Sequence, residues 1–126
     1  MIYGIGTDIV AVPRLQTSLD RYGERFAARI LTASEMAVFR GLANKAHFLA
    51  KRFAAKEALV KALGTGFRDG LSLHDIVVAN DALGKPVLEF SDKLADRLHA
   101  RGITQQHLSL TDEREYALAF VVLECP

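Results

Sequence analysis

The sequence predicts a single α+β domain over residues 1–126, a mainly antiparallel sheet packed against one long buried helix. Three observations lead there. A helical stretch ending at Leu63 is apolar on nearly every side, and strand-like runs occupy the start of the chain and its second half. Half of the 126 residues are hydrophobic and a quarter are charged, an ordinary globular balance. A chain of this size buries roughly two-thirds of the surface it would expose unfolded, enough for a core without staples.

Taken in order, Ile2 to Val10 reads as a strand, with Gly4, Gly6 and Asp8 on one side and Tyr3, Ile5, Thr7 and Ile9 on the other. Glycines beside an acidic residue leave that face open to close approach. Pro13 suits the first position of a helix that reaches about Tyr22 and ends at Gly23. Thr32-Ala-Ser-Glu35 matches a capping box and opens a short second helix. Asn44 is placed to cap the long helix, and Gly64 to stop it in a left-handed conformation. Phe48, Ala55, Leu59 and Ala62 cover one side of that helix, and Leu49, Phe53 and Val60 another. Burial on several sides follows, part of it against a partner subunit.

Asp75 to Asn80 and Pro86 to Phe90 predict two strands joined by a hairpin loop at Asp81–Lys85. Ser91 caps a helix ending near Gly102. Gln106 to Thr111 and Glu115 to Leu123 predict strands around a tight Asp112-Glu-Arg turn. The last strand is apolar on both faces, as central or doubly covered strands are, so a subunit interface is expected.

Several function classes recede on composition alone. The net charge of +1 does not suggest a nucleic-acid binder. Cys125 is the only cysteine, which excludes an intramolecular disulfide and is compatible with a reducing compartment. No secretory pattern opens the sequence, and no apolar run approaches the ~18 residues of a membrane span. The expectation is a cytoplasmic protein without a membrane partner. Gly4-Ile-Gly6 lacks the third glycine of a dinucleotide fingerprint, and no nucleophile elbow is present.

The richest stretch is Phe53-Ala-Ala-Lys-Glu57-Ala-Leu-Val-Lys61-Ala-Leu-Gly64-Thr65-Gly66. Glu57 and Lys61 stand one helical turn apart, about 6 Å along the axis. One reading is an ordinary Glu-to-Lys helix pair near the C-terminal dipole. The other is a phosphate-handling site, because the pair lies on a helix suited to burial and runs into a glycine turn whose backbone can approach a ligand. Asp8 either ends its strand or joins Glu57. Two carboxylates without histidine or cysteine suit Mg²⁺, which keeps waters and phosphate oxygens in its shell.

His107, Ser109 and Thr111 line one strand face, either solvated or a polar wall for a nucleotide. Arg14 and Arg21 lie seven residues apart on one side of the first helix, with Arg25 and Arg29 following and Phe26 and Ile30 interleaved. That stripe is either a solvated face or a docking surface for an acidic partner.

Together these residues resemble a known family. Gly6-Thr-Asp8-Ile-Val10, Arg52-Phe-Ala-Ala-Lys56-Glu57-Ala, Lys61-Ala-Leu-Gly64-Thr-Gly66, Gly84-Lys85-Pro86 and Tyr116-Ala-Leu-Ala119 occur in the order found in the small, single-domain 4'-phosphopantetheinyl transferases of the holo-[acyl-carrier-protein] synthase type. The resemblance spans nearly the whole chain. It implies that family's fold, assembled as a homotrimer with active sites between subunits. The implied activity is Mg²⁺-dependent transfer of phosphopantetheine from coenzyme A to a serine of apo-acyl carrier protein, for fatty acid biosynthesis, releasing adenosine 3',5'-bisphosphate. Asp8 and Glu57 are then the metal ligands. The resemblance does not fix the group that deprotonates the serine; on chemical grounds Glu57, directly or through a metal-bound water, is the leading candidate. Lys61 contacts the phosphate chain, with Arg52, Gly64, Thr65 and Gly66 around it. Asn80, Gly84, Lys85 and Pro86 resemble the adenosine-side wall, and His107 a nucleotide-phosphate contact. Arg14, Arg21, Arg25 and Phe26 resemble the carrier-protein docking surface. Asp112 stands where many relatives have histidine and inherits no role. A pyrophosphate hydrolase and a non-catalytic trimeric module that binds coenzyme A or an acidic protein are the competing readings.

Overall fold

Small residues set the distance at which the first strand meets the long helix. In the computed structural model, which describes residues 1–126, β1 (Ile2–Ala11) turns Gly4 and Gly6 toward α4 (Lys45–Leu63). A Cβ on Gly6 would lie 2.0 Å from the Ala58 carbonyl oxygen, and one on Gly4 2.1 Å from that of Ala62. No side chain fits there, so the strand backbone rests directly on the helix backbone. The space that the glycines open is therefore filled by the protein itself.

β1 pairs antiparallel with β5 (Tyr116–Glu124), and β5 pairs on its other edge with β4 (Gln105–Asp112), in the order β1-β5-β4. The central position foreseen for the last strand is found. Ala117, Ala119, Val121 and Leu123 are fully buried on the side of the core, whereas Tyr116, Leu118 and Phe120 remain exposed. Ile5 and Ile9 of β1 extend this uncovered apolar strip, at 58% and 60% exposure.

A second, two-stranded sheet forms apart from the first, so the strands do not share one sheet as expected. It consists of β2 (Ile76–Asn80) and β3 (Pro86–Phe90), joined at the anticipated Asp81–Lys85 loop. A single 3₁₀ turn, Leu73–Asp75, precedes β2. Ser91 accepts a bond from the Leu94 amide and caps α5 (Asp92–Ala100).

Three helices fill the chain between β1 and α4. α1 (Val12–Tyr22) starts one residue before Pro13 and stops at Gly23. α2 (Glu24–Ile30) resumes at once: the glycine after Tyr22 predicts only a helix end, whereas Gly23 serves as a corner between two helices. α3 (Ala33–Arg40) opens with the predicted capping box of Thr32 and Glu35. α4 begins after Asn44, but the Asn44 side chain makes no capping bond. It ends as predicted, with Gly64 left-handed at φ 82°. Phe53, placed among the buried residues by its spacing, is only half-buried.

One charge pair lies inside this core. The Lys56 and Glu35 side chains are 0% and 2% exposed, with Nζ 2.7 Å from Oε1. Lys56 also donates to the Ile30 carbonyl at 2.7 Å, and Glu35 accepts from the Thr32 and Val78 amides, each at 2.8 Å. The pair thus joins the end of α2, the start of α3, β2 and the middle of α4. Burial pushes the Lys56 ammonium below the usual lysine range, and Glu35 beside it opposes that shift.

Candidate active site

Asp8 lies on the β1 face that meets α4, two residues beyond Gly6, and its side chain is 16% exposed. Lys61, in the last turn of α4, donates to Asp8 Oδ1 at 3.0 Å and to the Thr7 carbonyl at 3.1 Å. The Glu57–Lys61 ion pair allowed by their spacing does not form; the ammonium reaches across to β1 instead. Glu57, half-buried one turn earlier, feels both neighbours. Burial first, and then the Asp8 charge, push its carboxyl above the usual range, while Lys61 opposes. Two carboxylates and one ammonium leave one negative charge uncompensated. No third histidine, cysteine or acidic residue joins them as a metal cluster. A hard cation taking a few carboxylate oxygens and otherwise waters and phosphate oxygens fits this donor set.

Directly after Lys61 the backbone turns through Gly64 and Gly66, at φ 82° and 65°. A Cβ at either would face open space, so this turn stays bare beside the charged groups. Thr65 between them donates its hydroxyl to the Gly66 carbonyl at 3.0 Å.

A cavity of about 190 Å³ opens between α4, the β2–β3 loop and the end of β4. Arg52, Asn80, Gly84 and Pro86 line it, together with Lys51 and Asp112. Lys51 Nζ stands 3.9 Å from Asp112 Oδ1, an ion pair that the sequence did not reveal. Arg52 is buried, stacks over the Phe48 ring at 4.3 Å and donates to Asn80 Oδ1 at 3.1 Å. Its Nε is buried without a partner. Asn80 in turn donates to the Gly84 carbonyl at 2.9 Å, holding the loop, while Lys85 is exposed.

His107 is not brought to this group. In the sheet register it lies beside Val122, in the row that holds Ile5, and faces away from α4, whereas Asp8 faces α4. One chain therefore presents Asp8 and His107 on opposite faces of the same sheet. His107 Nε2 instead lies 2.5 Å from Glu124 Oε1.

The arginine stripe is split by Gly23. Arg14 and Arg21 are exposed on α1, with the Arg21 guanidinium 5.3 Å from the Tyr22 ring. Across the corner, Tyr22, Arg25, Phe26 and Arg29 line an open groove of about 500 Å³ with half-buried Phe26 against the core.

Sequence reasoning missed Lys56 and Glu35 as a buried pair. The available signal was a lysine amid small apolar residues on a helix with no exposed side, which demands a buried counter-charge.

Residues 4–121 match the family described as the 4'-phosphopantetheinyl transferase superfamily. The chain is 58% identical over 123 residues to a holo-[acyl-carrier-protein] synthase of Halorhodospira halophila, covering 98% of each. Its fold is similar to the crystal structure of holo-[acyl-carrier-protein] synthase from Neisseria meningitidis, with TM-score 0.93, 47% identity and 98% and 99% of the two chains covered. The Bacillus anthracis holo-(acyl-carrier-protein) synthase in complex with CoA (3',5'-ADP) gives TM-score 0.84 and 42% identity over 100% of this chain and 99% of that one.

Proposed function

Because the chain belongs to the holo-[acyl-carrier-protein] synthase group of the 4'-phosphopantetheinyl transferase superfamily, we propose the reaction that it performs. It moves 4'-phosphopantetheine from coenzyme A to a serine of apo-acyl carrier protein, with Mg²⁺, in the cytoplasm, for fatty acid biosynthesis. The whole chain, residues 1–126, acts as one domain. The observation that carries this reading is the convergence of Asp8, Glu57 and Lys61 beside the bare Gly64–Gly66 turn.

The serine oxygen attacks the pyrophosphate phosphorus next to the pantetheine arm. The bond from that phosphorus to the bridging oxygen breaks, and adenosine 3',5'-bisphosphate leaves with the electron pair. Asp8 and Glu57 would hold Mg²⁺, which when bound neutralises the pyrophosphate oxygens and polarises the phosphorus. Glu57, directly or through a metal-bound water, would take the serine proton. Lys61 stabilises the leaving phosphate as a point charge. Gly64, Thr65 and Gly66 cradle the phosphates, Arg52 completes the nucleotide side, and Asn80, Gly84, Lys85 and Pro86 wall the adenosine.

Incubation with coenzyme A, Mg²⁺ and apo-carrier protein tests this directly. A carrier mass increase equal to phosphopantetheine is expected. Nucleotide cleavage without that increase would indicate hydrolysis, and neither product would leave only binding.

The uncovered strip of Ile5, Ile9, Leu118 and Phe120 and the opposed facing of Asp8 and His107 support a homotrimer in which a neighbouring subunit contributes His107. Phe120→Glu is expected to dissociate the assembly in analytical ultracentrifugation and to remove transfer activity, with circular dichroism unchanged. A variant that stays fully assembled and active refutes that interface.

An acidic carrier protein suits the surface formed by Arg14, Arg21, Arg25 and Phe26. Arg14→Glu with Arg21→Glu is expected to raise KM for the carrier about tenfold while KM for coenzyme A holds, and added salt should narrow the difference. Equal changes in both KM values would argue against docking there.

A further inference from the structure

Lys61 does more in this geometry than wait for a phosphate. Its ammonium occupies an all-oxygen position between Asp8 Oδ1, at 3.0 Å, and the Thr7 carbonyl, at 3.1 Å. Carboxylate and carbonyl oxygens are also what a hard divalent cation takes. The Asp8 side chain is 16% exposed and held on a strand pressed against α4, whereas that of Lys61 is 53% exposed on a flexible stem. Of the two partners, only the lysine is free to leave. Exposed pairs of this kind are weak, so little opposes its departure.

We propose that Lys61 is an internal counter-ion that holds the cation position beside Asp8 and competes with a divalent metal for it. Loading the metal and freeing the ammonium are then one event. Lys61 becomes available to an incoming pyrophosphate only after its charge at Asp8 has been replaced, and the acidic pair is never left without a cation. A lysine suits this exchange better than an arginine, because its compact, strongly hydrated charge lacks the rigid fork that locks onto a carboxylate.

The inference rests on the metal reading above, and the test separates the two. Mn²⁺ alone, without coenzyme A or carrier, is titrated into the full chain, and free Mn²⁺ is read by electron paramagnetic resonance. Removing the competing charge in Lys61→Met should tighten Mn²⁺ binding about tenfold, whereas Lys61→Arg, whose fork holds the carboxylate more firmly, should bind Mn²⁺ no more tightly than the parent. Equal or weaker binding by Lys61→Met overturns the competition and leaves the proposed function standing. No binding by any of the three proteins overturns both. In the unaltered chain, the Lys61 ε-carbon resonance should shift as Mg²⁺ alone is added, and a resonance that stays still refutes the exchange even if the variants fail to fold.

Discussion

Glu57→Gln and Asp8→Asn each lower the rate of phosphopantetheine transfer on the order of 10²–10⁴-fold while the protein stays folded. Both substitutions keep the shape of the side chain and remove its charge. Asp8 is paired only with half-exposed Lys61 at the protein surface, and Glu57 is half-buried with a carboxyl that burial and Asp8 already disfavour in its ionised form. Neither change leaves an unpaired charge in the core, so stability is little altered. Glu57→Gln even removes a group whose ionisation opposes folding. A carboxyl raised above its unfolded value is most compatible with the native state at low pH and loses that advantage as pH rises through its folded pKa. The unaltered protein should therefore gain less stability than Glu57→Gln between acidic and neutral pH. Quenched-flow turnover and thermal melts at several pH values check both statements, and near-normal turnover in either variant would remove the acidic pair from the mechanism.

Glu35→Ala unfolds the protein or costs it about 3–5 kcal/mol, the range found when one partner of a buried ion pair is lost. The Lys56 ammonium would remain in the core with only the Ile30 carbonyl as a partner, and the Val78 and Thr32 amides would lose their acceptor. The double variant Glu35→Leu/Lys56→Met should recover most of the loss, because apolar replacement removes both desolvated charges at once. Urea titration of the three proteins measures this. A single variant as stable as the parent would mean that the pair contributes nothing to holding β2 and α3 on α4.

The legible features were those with local causes. A capping box, a left-handed glycine stop and a hairpin loop each depend on neighbours within a few residues, and the structure has all three. α2 was missed because a glycine can end a helix or turn a corner between two, and only packing of Ala27 and Ile30 into the core selects the corner. The Asn44 side chain was expected to cap, yet the backbone entering α4 turns otherwise and the bond is not made. The second sheet was invisible because pairing partners are long-range contacts that no local pattern specifies. Among candidate site residues, Asp8, Glu57 and Lys61 were legible by type and spacing. The actual partner of Lys61 was not, since it lies 53 residues away across the β1–α4 contact.

By itself the sequence determined the helix that carries Glu57 and Lys61, the strand that carries Asp8, the bare turn after them and the family to which they belong. The helix, the strand and the turn follow from side-chain periodicity and from backbone freedoms particular to glycine, and the family from the resemblance of the ordered motifs. Only the tertiary structure decided which charges meet: Lys61 with Asp8, Lys56 with Glu35, and His107 turned to the far face of the sheet. Charge pairing depends on distances of a few ångströms between segments remote in the chain, and packing of small residues such as Gly6 against Ala58 sets those distances.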